Sequence, residues 1–218
     1  MIYLYAITEA DAAVPDCRGL EDAELRLAPA REVAGLYSTH RSLEVRPQPE
    51  ALWRHDQVVE AAMAAGPALP ARFGTTFAAG DALTSALERE HDRLRDQLER
   101  VRGCVELAVR VGLAERAAIE PAPEGGREYV ERKLARRRRQ QALARETLSP
   151  LGEVAVRARH EEGRSEDEVI RASYLVRADE VDRFSERVTL LAERNPQLWL
   201  SCTGPWPPYS FAGFEEAA

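Results

Sequence analysis

The chain has 218 residues, 44% hydrophobic and 31% charged, with a net charge of -7. That length allows a real core in one or two domains, and the acidic balance argues against general affinity for nucleic acid or anionic lipid. No apolar run approaches the roughly 18 residues of a membrane span. The start, MIYLYAITEADAA, lacks the basic region of a secretory signal. Cys17, Cys104 and Cys202 are too few and too widely spaced for a disulfide framework, so a reduced cytosolic protein is expected.

In chain order, Ile2 to Ile7 is β-branched or aromatic at almost every position, which predicts a strand buried on both faces. Residues 11 to 31 read as irregular or weakly extended, and Val33 to Thr39 as a second strand. EALWRHDQVVEAAMAA predicts a helix with Leu52, His55, Val59, Ala62 and Met63 on one face, stopped by Gly66-Pro67. ALPARFGTTF follows as a short, bent apolar segment. One helix is then expected, capped by Asp81, carrying Leu83, Leu87, Leu94, Leu98 and Val101 and ended by Gly103.

Val105, Leu107, Val109 and Val111 alternate as in a half-buried strand. Residues 121 to 126 form a loop and Arg127 to Leu148 a long arginine-rich helix. Val154, Val156 and Ala158 alternate in a further strand. Residues 161 to 165 connect it, hairpin-fashion, to Ile170, Ala172, Tyr174 and Val176. Asp179 is expected to cap a helix bearing Val181, Phe184, Val188 and Leu191, and Leu198-Trp199-Leu200 forms the last strand. The order from residue 103 to 202 is strand, helix, strand, strand, helix, strand, the ferredoxin-like βαββαβ order of an antiparallel sheet with two helices on one face. The expected class is therefore α+β in two domains: 1–102, 103–202, and a Pro/aromatic arm at 203–218.

No constellation for chemistry appears. His40, His55, His91 and His160 are scattered, none stands at metal-ligand spacing from a cysteine, and His55 on an apolar face reads as a satisfied core residue. There is neither a nucleophile elbow nor a Walker loop. Arg136 to Arg139 sits mid-helix among glutamates, as a solvated face does. The strands that would stack bases in an RNA-recognition sheet carry no aromatic. Neither a cofactor nor a metal is expected.

Two stretches stand apart. LPARFGTTF holds Arg72, Phe73 and Gly74 in a sharp bend. Its arginine is either a snorkelling side chain of an edge strand or one fixed for an interdomain or partner contact. TGPWPPYSF concentrates Trp206, Pro207, Pro208, Tyr209 and Phe211 in a chain that is 6% aromatic. Prolines remove backbone donors, so the stretch cannot continue a helix or central strand. An extended arm docking Trp206 and Tyr209 on the N-terminal domain is expected.

These pieces, YLYAI, the His55-x-x-Val58-Val59 helix, LPARFGTTF, ASYLV at 172–176 and TGPWPPYSF, come in the order found in the GvpF/GvpL family of gas vesicle proteins. The chain resembles that family over nearly its whole length. The resemblance implies a non-enzymatic assembly or minor structural role, in the gas vesicle and the cytoplasm. It implies contacts with the hydrophobic shell protein and other gas vesicle accessory proteins, and a ferredoxin-like C-terminal part. It offers no catalytic or metal residues. The competing readings are a generic adaptor using its proline-rich segment and a metabolite-binding enzyme with an interdomain pocket.

Overall fold

The computed structural model describes residues 1–42, 46–114, 126–165 and 168–213. They form a mixed α/β structure with two antiparallel sheets. The chain divides into two compact units: Met1–Val105 with the segment that begins at Pro207, and Glu106–Trp206.

In the first unit, β1 (Ile2–Glu9) is central and every residue from Ile2 to Thr8 is buried. Such a strand has neighbours on both edges and cover on both faces. β2 (Leu25–Ala30) pairs with β3 (Val33–Thr39), which pairs with β1, all antiparallel. β2 lies where an irregular or weakly extended segment is expected, and gives that stretch a regular strand. As an edge strand it tolerates Pro29, which removes a backbone donor from the ladder. α1 (Pro49–Ala65) packs His55, Val58, Val59 and Ala62 over Tyr3 and Tyr5. Leu52, expected on that face, is exposed. β4 (Ala68–Pro70) and β5 (Thr76–Phe77) both pair with β1 on its other edge.

The single helix expected from Asp81 is two, α2 (Gly80–Arg89) and α3 (His91–Val101), broken at Glu90 with φ -99° and ψ 6°. Ala79, rather than Asp81, occupies the first cap. The leucine spacing survives the break because both helices bury their leucines against the same unit.

In the second unit, β6 (Cys104–Leu113) is followed by α4 (Gly126–Leu148), β7 (Arg157–Glu162), β8 (Glu168–Arg177), α5 (Val181–Arg194) and β9 (Leu198–Trp206). The sheet order is β7-β8-β6-β9. Its core joins Leu107, Val109 and Val111 of β6 to Ala144 and Leu148 of α4 and Phe184, Val188 and Leu191 of α5.

Three expectations need correction here. The Val154–Ala158 alternation marks the wrong start: Ser149–Glu153 is a 3₁₀ turn, Val156 is exposed and all six residues of β7 are exposed. An edge strand has too little cover for alternation to report burial. Asp179 lies in a second 3₁₀ turn, and Glu180 occupies the N-cap of α5. Finally, β9 does not stop at Cys202 but continues through Gly204-Pro205 to Trp206, pairing Thr203 with Ala108 and Trp206 with Glu106 across a bulge. Gly204 makes this possible: its φ is +127°, and a Cβ there would lie 2.8 Å from the Glu106 carbonyl oxygen.

Candidate functional site

A buried set of hydrogen bonds in the first unit lies beneath LPARFGTTF. β4 and β5 leave β1 between them, so the intervening residues bulge out as a loop, held at its roots by Ala71 N–H to Tyr5 O (2.8 Å) and Leu4 N–H to Thr75 O (3.0 Å). Tyr3 and Tyr5 alternate along β1 and point to the α1 side. Their hydroxyls begin two separate hydrogen-bond chains.

In the first, His55 Nε2 faces the Ala71 carbonyl oxygen at 3.1 Å, which accepts only, so Nε2 carries the proton. Nδ1 then accepts from the Tyr3 hydroxyl at 3.0 Å, and the Tyr3 oxygen accepts the Gly74 N–H at 3.1 Å. One histidine and one tyrosine thus pin both sides of the Arg72–Gly74 bend. Gly74 at φ +91° turns the chain back where other residues would be strained. Phe73 closes the bend edge-on, 6.1 Å from the Tyr3 ring and 5.7 Å from the His55 ring. Burial pushes the His55 pKa below its ordinary value and the Tyr3 phenol above its own, so both stay neutral.

In the second chain, Leu20 N–H donates to the Tyr5 oxygen (2.7 Å), Tyr5 meets Ser38 (2.8 Å), and Ser38 meets His40 Nε2 (2.7 Å). His40 Nδ1 lies 3.2 Å from Glu21 Oε2. The carboxylate accepts from Nδ1, and Ser38 links the imidazole to the Tyr5 hydroxyl. This chain fixes the turn around Glu21 and Asp22, two non-glycine residues at φ 53° and 55°. Left-handed backbone at such residues is held only where the surroundings impose it.

The two chains flank a cleft of about 550 Å³ lined by Leu20, Glu21, Asp22, Arg46, Gln48, Glu50, Ala51, Trp53, Arg54 and Phe73. Trp53 stands at its mouth, 61% exposed, with the Arg54 guanidinium 5.9 Å from its ring centroid and 3.7 Å from Asp22. Among the described residues, no group of three His, Cys, Asp or Glu side chains is arranged to hold a metal ion.

Of the residues singled out in the sequence, Phe73 lines the cleft, Gly74 belongs to the first chain, and Arg72 is exposed at the apex of the bend. Pro207 and Pro208 are buried in the first unit. Tyr209 donates to Asp56 Oδ1 at 2.8 Å and lies 6.5 Å from the His55 ring, and Phe211 is buried. The segment is a turn rather than an extended arm, since Tyr209 N–H reaches Pro207 O and Phe211 N–H reaches Pro208 O. Trp206 is the last residue of β9 in the second unit, 50% exposed.

Sequence reasoning missed Ser38, His40, Glu21, Asp56 and Trp53. The one available signal was the pair Tyr3 and Tyr5: two buried phenols on a central strand each need a polar partner.

This fold has solved counterparts among gas vesicle proteins. The crystal structure of GvpF from Anabaena sp. PCC7120 matches with a TM-score of 0.80 at 20% identity, over 99% of this chain and 97% of that one. GvpF from Microcystis aeruginosa matches with a TM-score of 0.78 at 20% identity, over 97% and 98%. The protein is thus of the GvpF fold.

Sequence carries the assignment further. The family described as "Gas vesicle synthesis protein GvpL/GvpF" matches residues 1–213. Gas vesicle protein L of Streptomyces sp. (strain CB03234) is 34% identical over 184 residues, 74% of this chain and 68% of that protein. Gas vesicle protein L2 of Halobacterium salinarum is 27% identical, over 96% and 90%. The chain belongs to the GvpL/GvpF family of gas vesicle proteins and takes part in gas vesicle formation. Among the described residues, no helix is long and apolar enough to cross a membrane.

Proposed function

We propose that this protein serves gas vesicle formation by protein contact and without catalysis, engaging the hydrophobic shell protein and other accessory proteins. The observation that carries this is the cleft with exposed Trp53, braced by two buried hydrogen-bond chains. A shell subunit apolar enough to face gas is an aggregation hazard before incorporation. A partner with an aromatic anchor on a rigid base holds such a subunit without deforming around it.

Two structural readings accompany this proposal. The strand order β7-β8-β6-β9, with chain order β6-α4-β7-β8-α5-β9, supports a ferredoxin-like C-terminal domain and a two-domain protein. The Tyr209–Asp56 bond and buried Pro207, Pro208 and Phe211 support a C-terminal clasp that steadies α1 beneath Trp53.

Capture of purified shell protein, alone and with the other accessory proteins, on the immobilised chain tests the proposal. Wild type retains shell protein, and Trp53→Ala lowers retention roughly tenfold, as loss of an aromatic anchor does, without loss of secondary structure. No capture by wild type, or capture untouched by Trp53→Ala, overturns it.

A further inference from the structure

α4 is 23 residues, about 34 Å long at 1.5 Å per residue, yet among its described side chains the buried ones, Ala144, Thr147 and Leu148, lie near its C-terminal end. Val130, Leu134, Arg137, Gln141, Ala144 and Leu148 recur at alternating intervals of four and three, the spacing of a helix–helix seam. At the C-terminal end of this stripe, Ala144 and Leu148 enter the core of the second unit. In the middle, the Arg137 guanidinium donates to the carbonyl oxygens of Glu168 (3.0 Å), Gly163 (3.2 Å) and Ser165 (3.5 Å), closing the β7–β8 turn. Beyond Arg137 the stripe continues with Leu134 and Val130, 52% and 53% exposed.

Charge narrows what can cover it. Residues 126–148 hold eight Lys and Arg against three Glu, a net +5 on a chain of -7, so the rest of the sequence sums to -12. Positive charge is concentrated on the helix that exposes Val130 and Leu134.

We infer that the N-terminal half of α4 is a docking seam for an acidic amphipathic helix of a partner protein. Its apolar edge would lie on Val130 and Leu134, and its carboxylates beside Lys133 and Arg138, which flank that seam on the helix surface. A second copy of α4 is disfavoured because +5 would face +5. A membrane surface calls for a broad apolar face, and two aliphatic side chains among charges do not make one. Nucleic acid would use the arginines but gains nothing from Val130 and Leu134. This surface belongs to the second unit and the Trp53 cleft to the first.

The test uses the full chain and fluorescence anisotropy at low salt. The probe is a synthetic three-heptad helix with leucine at a and d and glutamate at e and g. Controls are the same peptide with lysine flanks, a short DNA duplex and phosphatidylserine vesicles. The glutamate peptide is expected to bind at least roughly tenfold more tightly than the lysine peptide, and to weaken as salt rises. Val130→Asp with Leu134→Asp abolishes binding. Arg138→Glu, beside the seam, weakens it roughly tenfold. Val130, Leu134 and Arg138 lie on exposed helix surface, so helicity and melting temperature stay at the wild-type value. Equal affinity for the two peptides, no binding of the glutamate peptide, indifference to Val130→Asp with Leu134→Asp, or tighter binding of duplex or vesicles each overturns the inference.

Discussion

Replacing His55 by leucine tests whether the bend at Arg72–Gly74 is held by its buried chain of hydrogen bonds. The imidazole is 1% exposed and satisfies two groups, the Tyr3 hydroxyl proton and the Ala71 carbonyl. Leaving a buried donor or acceptor without a partner costs about 1–3 kcal/mol each. Added apolar burial by leucine offsets about 1 kcal/mol, so the net loss is about 3 kcal/mol. At roughly 3 °C per kcal/mol for a chain of this size, the transition of the first unit drops by about 10 °C. The effect is local, so hydrogen exchange of the peptide spanning residues 68–77 is the sharper assay: Gly74, whose N–H ends on Tyr3, loses protection in His55→Leu. Tyr3→Phe supplies the second arm of a double-mutant cycle. Because both substitutions break one chain, the double mutant loses about 1–2 kcal/mol less than the sum of the singles. Strict additivity, or a His55→Leu protein within about 0.5 kcal/mol of wild type, refutes the reasoning.

Three further outcomes follow from the same geometry. His55 is buried neutral, with its folded pKa below the unfolded value of about 6.5. The unfolded chain therefore binds the proton first, and stability falls as pH drops below that value, by up to about 1.4 kcal/mol per pH unit. In chemical denaturation at stepped pH, His55→Gln lacks this component. Gly204→Ala places a Cβ 2.8 Å from the Glu106 carbonyl at φ +127°, so the second unit loses about 1–3 kcal/mol, read from Trp199 fluorescence on urea titration. Tyr209→Phe removes the hydroxyl from Asp56 and lowers the stability of the first unit by about 1–2 kcal/mol in the same titration followed at Trp53.

Much of the architecture was legible because burial leaves periodic traces. The run Ile2–Ile7, Leu107, Val109 and Val111 of β6, the leucines of α2 and α3, and Phe184, Val188 and Leu191 of α5 are buried where their spacing puts them. The readings that failed lie where burial is weak. Exposed β7 and edge strand β2 leave little pattern, and the break at Glu90 does not interrupt the leucine spacing. β9 persisted through Gly204-Pro205 because an edge strand accepts a proline and a glycine supplies the φ. The cleft was least legible. LPARFGTTF and the Tyr-x-Tyr strand were visible as motifs, but no local pattern tells that Tyr3, His55 and Gly74, up to 71 residues apart, share one hydrogen-bond chain. Trp53 was hidden for the opposite reason, since an exposed indole on a helix carries no periodic signature.

The route of the backbone has a consequence for synthesis. The second unit is an insertion in the first, entered at Glu106 and left at Trp206, two residues paired side by side in its sheet. A nascent chain therefore has β1 to α3 in hand but lacks the segment after Trp206, and the Tyr209–Asp56 bond spans 153 positions. At about 5–20 residues per second, translation delivers Tyr209 roughly 5–20 s after the first unit's other elements. Throughout that interval the inserted unit can complete itself while its host cannot. The residues after Trp206 thus join the first unit only after the inserted unit has been made.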